Sequence, residues 1–104
     1  GMITTNEPGY YRDGAFGIRL ENCIECQEAG KTEWGRFLKF SALTMVPFDL
    51  DAVDPSAMSA DEIRLLNEYH AEVYETIVPH LPAEEAEWLK YATRTNLVHL
   101  AVHR

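Results

Sequence analysis

The chain reads as α+β, a small antiparallel sheet followed by two C-terminal helices, because its hydrophobic period changes midway. Up to about residue 48, apolar and polar residues alternate in short runs. Phe16, Ile18 and Leu20 against Gly17, Arg19 and Glu21 are the plainest case, with the period of a half-buried strand. Beyond Ser59, apolar residues recur at helical spacing behind a capping sequence. Pro8-Gly9, Asp13-Gly14 and a polar stretch punctuate the first half, which is the order of an antiparallel meander.

Taken in order, Met2–Thr5 is the first strand. Pro8 biases Glu7 toward an extended backbone, and Pro8-Gly9 suits the two central positions of a type II turn, so Glu7 is expected at a strand end. Asp13-Gly14 marks a second turn and Gly17–Gln27 a second strand. Two strands joined by a short tyrosine-rich loop can hold Glu7 and Glu21 close together on rigid elements, as a carboxylate-rich metal or acid-base site needs. The polar run Glu28-Ala29-Gly30-Lys31-Thr32 then separates that strand from Phe37–Val46. Asp49–Met58, rich in Asp, Pro and Ser, reads as a linker.

Ser59-Ala60-Asp61-Glu62 is a capping box, in which hydroxyl and carboxylate satisfy free amides at a helix start. Ile63, Leu66, Tyr69, His70, Val73 and Ile77 continue along one face, and Pro79 and Pro82 end the helix. A second helix over Ala83–Thr93 carries Glu84, Glu85 and Glu87 early, where the helix dipole favours negative charge. Trp88, Leu89 and Ala92 form its expected buried stripe.

A chain of 104 residues makes a small globular piece, burying about 60–68% of its unfolded surface, so stability without a partner is modest. A 46% hydrophobic and 11% aromatic composition argues against disorder. The net charge of −8 argues against nucleic acid or an anionic membrane as the main partner. No apolar run approaches the roughly 20 residues of a membrane span. No signal-peptide pattern opens the chain, and cytoplasm is the expected compartment.

The stretches Thr5-Asn6-Glu7-Pro8-Gly9-Tyr10-Tyr11 and Gly14-Ala15-Phe16-Gly17-Ile18-Arg19-Leu20-Glu21-Asn22 resemble the end of the catalytic domain of Xaa-Pro aminopeptidases, proline-specific M24 metallopeptidases of the creatinase and methionine aminopeptidase superfamily. The segment from about Leu43 to Thr93 resembles the C-terminal extension of the longer enzymes. The resemblance implies a partial pita-bread fold, with residues 1–48 closing the catalytic domain and residues 49–104 forming a helical extension. It implies that Glu7 binds one metal of a dinuclear centre, usually manganese, beside a histidine, and that Glu21 bridges both metals. Arg19 would hold the carboxylates from behind, and Tyr11 would lie near the substrate pocket.

The family takes two aspartates and a histidine from upstream of the first glutamate motif, and this chain opens six residues before Glu7. The expectation is therefore a C-terminal portion carrying two of five metal ligands and inactive alone. A complete enzyme would act on peptides with proline at the second position. The rival is a non-catalytic dimerisation or binding module derived from the family, and in either case a homo-oligomer is expected.

The remaining candidates read as structural. Cys23-Ile24-Glu25-Cys26 is formally a C-x-x-C, but residues three apart on a strand point to opposite faces, so the thiols diverge. His99 and His103 could share a helix face as ligands, yet the intervening glutamate of a zinc-binding helix is missing and a frayed tail is expected. His70 reads as a packed core or interface histidine. The acids at Glu72/Glu75 and Glu84/Glu85/Glu87 read as solvated helix surface. Thr95–Arg104 no longer resembles the family.

Overall fold

Five strands precede two helices in the computed structural model, which describes residues 1–95. The strands are β1 (Ile3–Asn6), β2 (Gly9–Arg12), β3 (Phe16–Arg19), β4 (Asn22–Thr32) and β5 (Gly35–Ala42), and the helices are α1 (Ala60–Ile77) and α2 (Ala83–Ala92). The chain divides into two compact units, Gly1–Thr44 and a second beginning at Met45.

In the first unit, antiparallel pairing gives a three-stranded sheet in the order β1-β4-β5 and a separate two-stranded ladder of β2 with β3. A single meander was expected, and its second strand is cut in two. The physical reason is Pro8. Asn6 lies opposite Asn22 and Gly9 opposite Arg19, so each strand advances by the same number of residues and one register runs through both ladders. At the position between them the Leu20 N–H donates to the Pro8 carbonyl at 3.1 Å, but Pro8 has no N–H to return the bond. β1–β2 and β3–β4 are therefore one long hairpin with a single missing ladder bond.

The hairpin reverses at Asp13-Gly14, as expected, with Gly14 at φ 69°. The type II turn expected at Pro8-Gly9 is absent, because such a turn needs positive φ at Gly9 and among the described residues only Gly14 and Gly35 have it. Gly9 instead opens β2. The polar run Glu28–Thr32, expected as a connection, belongs to β4. Its register to β5 shifts between Glu28 and Gly30, which marks a β-bulge at Ala29. The actual reversal is Glu33-Trp34, closed by Gly35 at φ 126°.

In the second unit, the segment read as a linker is ordered by its own acids. Asp49 accepts from the Asp51 N–H and Asp54 from the Ser56 N–H, each capping a short 3-10 turn. These turns lay Leu50 into a cluster with Ile63, against which Val53, Met58 and Leu66 pack. The capping box forms as expected, the Ser59 hydroxyl accepting from Glu62 N–H and the Glu62 carboxylate from Ser59 N–H.

Ile63, His70 and Val73 are buried on α1 and Leu89 on α2. Trp88, expected in the buried stripe, is 62% exposed. Helix α2 buries only a narrow edge, with Ala86 and Ala92 half-buried beside Leu89.

His70 does hold packing together, as its place on the apolar face suggested. Its Nε2 accepts from the Phe48 N–H at 3.0 Å, while the Tyr69 hydroxyl donates to the Val46 carbonyl at 2.7 Å. Two adjacent residues of α1 thus pin residues 46–48, the strap that enters the helical unit. His99 and His103 lie outside the described residues.

Candidate functional site

The shared register decides where the four singled-out residues stand. Directly opposite pairs along the hairpin are Tyr11/Gly17 and Gly9/Arg19, and the same register places Glu7 opposite Glu21 and leads on to Thr5/Cys23. Side chains alternate between faces along a strand, so these pairs share one face. Tyr10, Phe16, Ile18 and Leu20 share the other, with the Tyr10 and Phe16 rings 6.0 Å apart. Because Pro8/Leu20 is a hydrogen-bonded position, Glu7/Glu21 beside it is a non-hydrogen-bonded one, where opposed side chains approach most closely.

Two carboxylates opposed in this way repel, and Arg19 offsets the repulsion. Its Nε lies 3.3 Å from Oε2 of Glu21 and 4.0 Å from Oε2 of Glu7. The guanidinium is held above its ordinary range chiefly by a side-chain hydrogen bond to Tyr11, and then by the negative charge of Glu21 and Glu7. Glu7 is also held from the far side, where the Thr5 hydroxyl donates to its Oε1 at 2.8 Å. A polar line therefore runs along the face from Tyr11 through Arg19 to both glutamates and on to Thr5. All three charged side chains are about half exposed.

Glu7 and Glu21 are thus held close together as expected, with Arg19 beside both, and Tyr11 stands on the same face. Thr5, Gly9 and Gly17 were missed, although alternation two residues from Glu7, Tyr11 and Arg19 would have put them on the same face. Cys23 and Cys26 are both free cysteines. Cys23 follows Thr5 in register while Cys26 pairs with Phe40, so they occupy opposite faces of β4.

As a donor set the pair is partial. Hard divalent cations take about six or more oxygen ligands, and among the described residues no group of three or more His, Cys, Asp or Glu could hold a metal. Glu7 and Glu21 suit a share of such a shell, and among the described residues no third His, Cys, Asp or Glu joins them. The second unit contains a groove of about 230 Å³ lined in part by Phe48, Leu50, Trp88, Tyr91 and Arg94. Its arginine is already paired with Asp51 at 2.9 Å and stacked on Tyr91 at 4.2 Å.

A model of the C-terminal region of peptidase M24 matches residues 36–96. The chain is 46% identical over 96 residues to aminopeptidase P1 of Lotus japonicus, covering 88% of this chain and 15% of that protein. It is 40% identical over 97 residues to Xaa-Pro aminopeptidase 2 of Homo sapiens, covering 89% and 14%. Among solved structures it is similar to X-prolyl aminopeptidase from Caenorhabditis elegans, described as a cytosolic enzyme with a di-nuclear active site. That match has a TM-score of 0.78 and 39% identity, and covers 88% of this chain and 16% of the enzyme. The chain therefore spans 14% to 16% of the length of these relatives.

Proposed function

The chain belongs to the family of the C-terminal region of peptidase M24, and from that membership we propose that it supplies Glu7 and Glu21 as two of five metal ligands of an Xaa-Pro aminopeptidase. The observation that carries the reading is the opposed pair of carboxylates sharing one guanidinium. Clustering like charges at the closest-approach position of a ladder is unfavourable for folding alone, and a bound cation between them turns it to use.

In the complete enzyme two divalent metals, manganese by preference, would supply Lewis acidity for hydrolysis of the bond before proline. This chain's part is to present two carboxylates from a rigid hairpin, with Arg19 and Tyr11 fixing their spacing. Residues 1–48 would close the catalytic domain and residues 49–104 form the helical extension. The substrates would be peptides with proline at the second position, and the compartment the cytoplasm. That compartment is supported by the cytosolic nematode enzyme, and no helix among the described residues is long and apolar enough to cross a membrane.

By itself the chain is expected to be inactive. The test is turnover of an Xaa-Pro peptide by the purified chain, with and without added manganese. No turnover is the expected result. Activity that scales with this protein and disappears in Glu21→Ala would overturn the claim that the site is partial.

A second reading, a non-catalytic dimerisation or binding module, is favoured by the exposed large side chains Ile18, Phe37, Phe40 and Trp88. An exposed sheet edge and apolar patches of this kind promote pairing with another chain. A homodimer or higher oligomer is accordingly proposed. Light scattering that finds a folded monomer at micromolar concentration would contradict it.

A further inference from the structure

Tyr11 sits across from Gly17 and two residues along its own strand from Gly9, which in turn faces Arg19. A Cβ built on Gly17 would lie 2.7 Å from Cδ1 of Tyr11, and one built on Gly9 would lie 2.8 Å from its Oη and 2.9 Å from its Cζ. Carbon atoms in ordinary contact stand about 3.5–4.0 Å apart, so the ring occupies the space that any other residue at either position would fill. One ring edge rests on Gly17 and the hydroxyl end on Gly9. Neither glycine has positive φ, so the backbone does not require glycine at these positions. The close approach of the ring does.

We propose that Gly9 and Gly17 are positioning residues, which by leaving room for the Tyr11 ring seat its hydroxyl on Arg19 and, through Arg19, set the spacing of the Glu7 and Glu21 carboxylates. The functional consequence rests on the reading of that pair as metal ligands, but the packing itself does not. A methyl group at either glycine meets a side chain that can swing aside. The backbone then keeps its hairpin, and Arg19 loses one of the groups that orient it. In the complete site both carboxylates would be presented less uniformly, with no ligand removed.

Nuclear magnetic resonance of the metal-free chain tests this independently of any metal role. The ring current of an aromatic side chain displaces the signals of protons packed against it, so the Hα signals of Gly9 and Gly17 should lie away from ordinary glycine positions. Tyr11→Leu should abolish the displacement and Tyr11→Phe should preserve it. Gly9→Ala and Gly17→Ala should leave the unfolding midpoint nearly unchanged while moving the Arg19 Hε signal to its position in Tyr11→Phe. Glycine Hα signals indifferent to Tyr11→Leu would overturn the proposal, and this comparison decides even where a glycine variant does not fold. An Arg19 signal unmoved in folded glycine variants would overturn it equally.

Discussion

Glu7 and Glu21 stand opposite one another in the register of a long hairpin, and the Nε of Arg19 faces an oxygen of each, at 4.0 Å and 3.3 Å. The relationship is produced by local sequence. Pro8 removes one ladder bond without breaking register, and the Asp13-Gly14 reversal fixes which residues oppose one another.

Arg19 should therefore stabilise the hairpin by separating two like charges. Arg19→Gln is expected to lower the thermal midpoint, and adding Glu7→Gln should recover most of the loss. A double-mutant cycle over Arg19 and Glu7 checks this. Additive losses would show that the two side chains act independently.

The strap and α1 should loosen in acid. Burial holds the His70 imidazole below its ordinary value of 6.5, and its Nε2 lone pair is committed to the Phe48 N–H. The unfolded chain thus takes up this proton at higher pH than the folded one, so protonation favours unfolding. The contribution of His70 is complete above about pH 6.5 and declines as pH falls from there toward the folded value. His70→Gln retains an acceptor that does not titrate. Urea midpoints at pH 8 and pH 5 should fall closer together in this variant than in the parent chain.

Burial separates two residues that helical periodicity treats alike. Ile63 is 2% exposed within the Leu50 cluster, and Ile63→Ala should cost about 2–5 kcal/mol. Trp88→Ala, at a mostly exposed side chain, should stay within about 0.5 kcal/mol. Ser59→Ala removes one arm of the capping box and should cost about 1 kcal/mol. Denaturant titration of the three variants checks the order.

The two cysteines should not pair. They occupy opposite faces of β4, so mild oxidation followed by alkylation should label both thiols. A mass lacking both labels would mean that the strand is not regular there.

The pairing of Glu7 with Glu21 was legible in the sequence because one turn and strict alternation fix it. The details of the ladder were less so. Pro8-Gly9 has the composition of a type II turn, but tertiary pairing of both flanking segments keeps Gly9 extended. Glu28–Thr32 looked like a connection because it is polar, yet a strand exposed on both faces needs no apolar alternation, and the bulge at Ala29 disrupts what alternation there is. Asp49–Met58 looked like a linker because its order comes from side-chain caps on short turns, which hydrophobic periodicity does not register. The seating of Tyr11 on two glycines leaves no compositional trace beyond the glycines themselves.

Exchange into a complete enzyme tests the metal-ligand role most directly. Residues 1–95 of this chain would replace the matching segment of the nematode X-prolyl aminopeptidase, with bound metal and turnover of an Xaa-Pro peptide measured together. The expected result is a folded, metal-loaded and active hybrid that loses both metal and turnover in Glu7→Gln and in Glu21→Gln. A folded hybrid that keeps its full metal content and activity with either glutamate replaced would contradict the assignment of the pair as ligands.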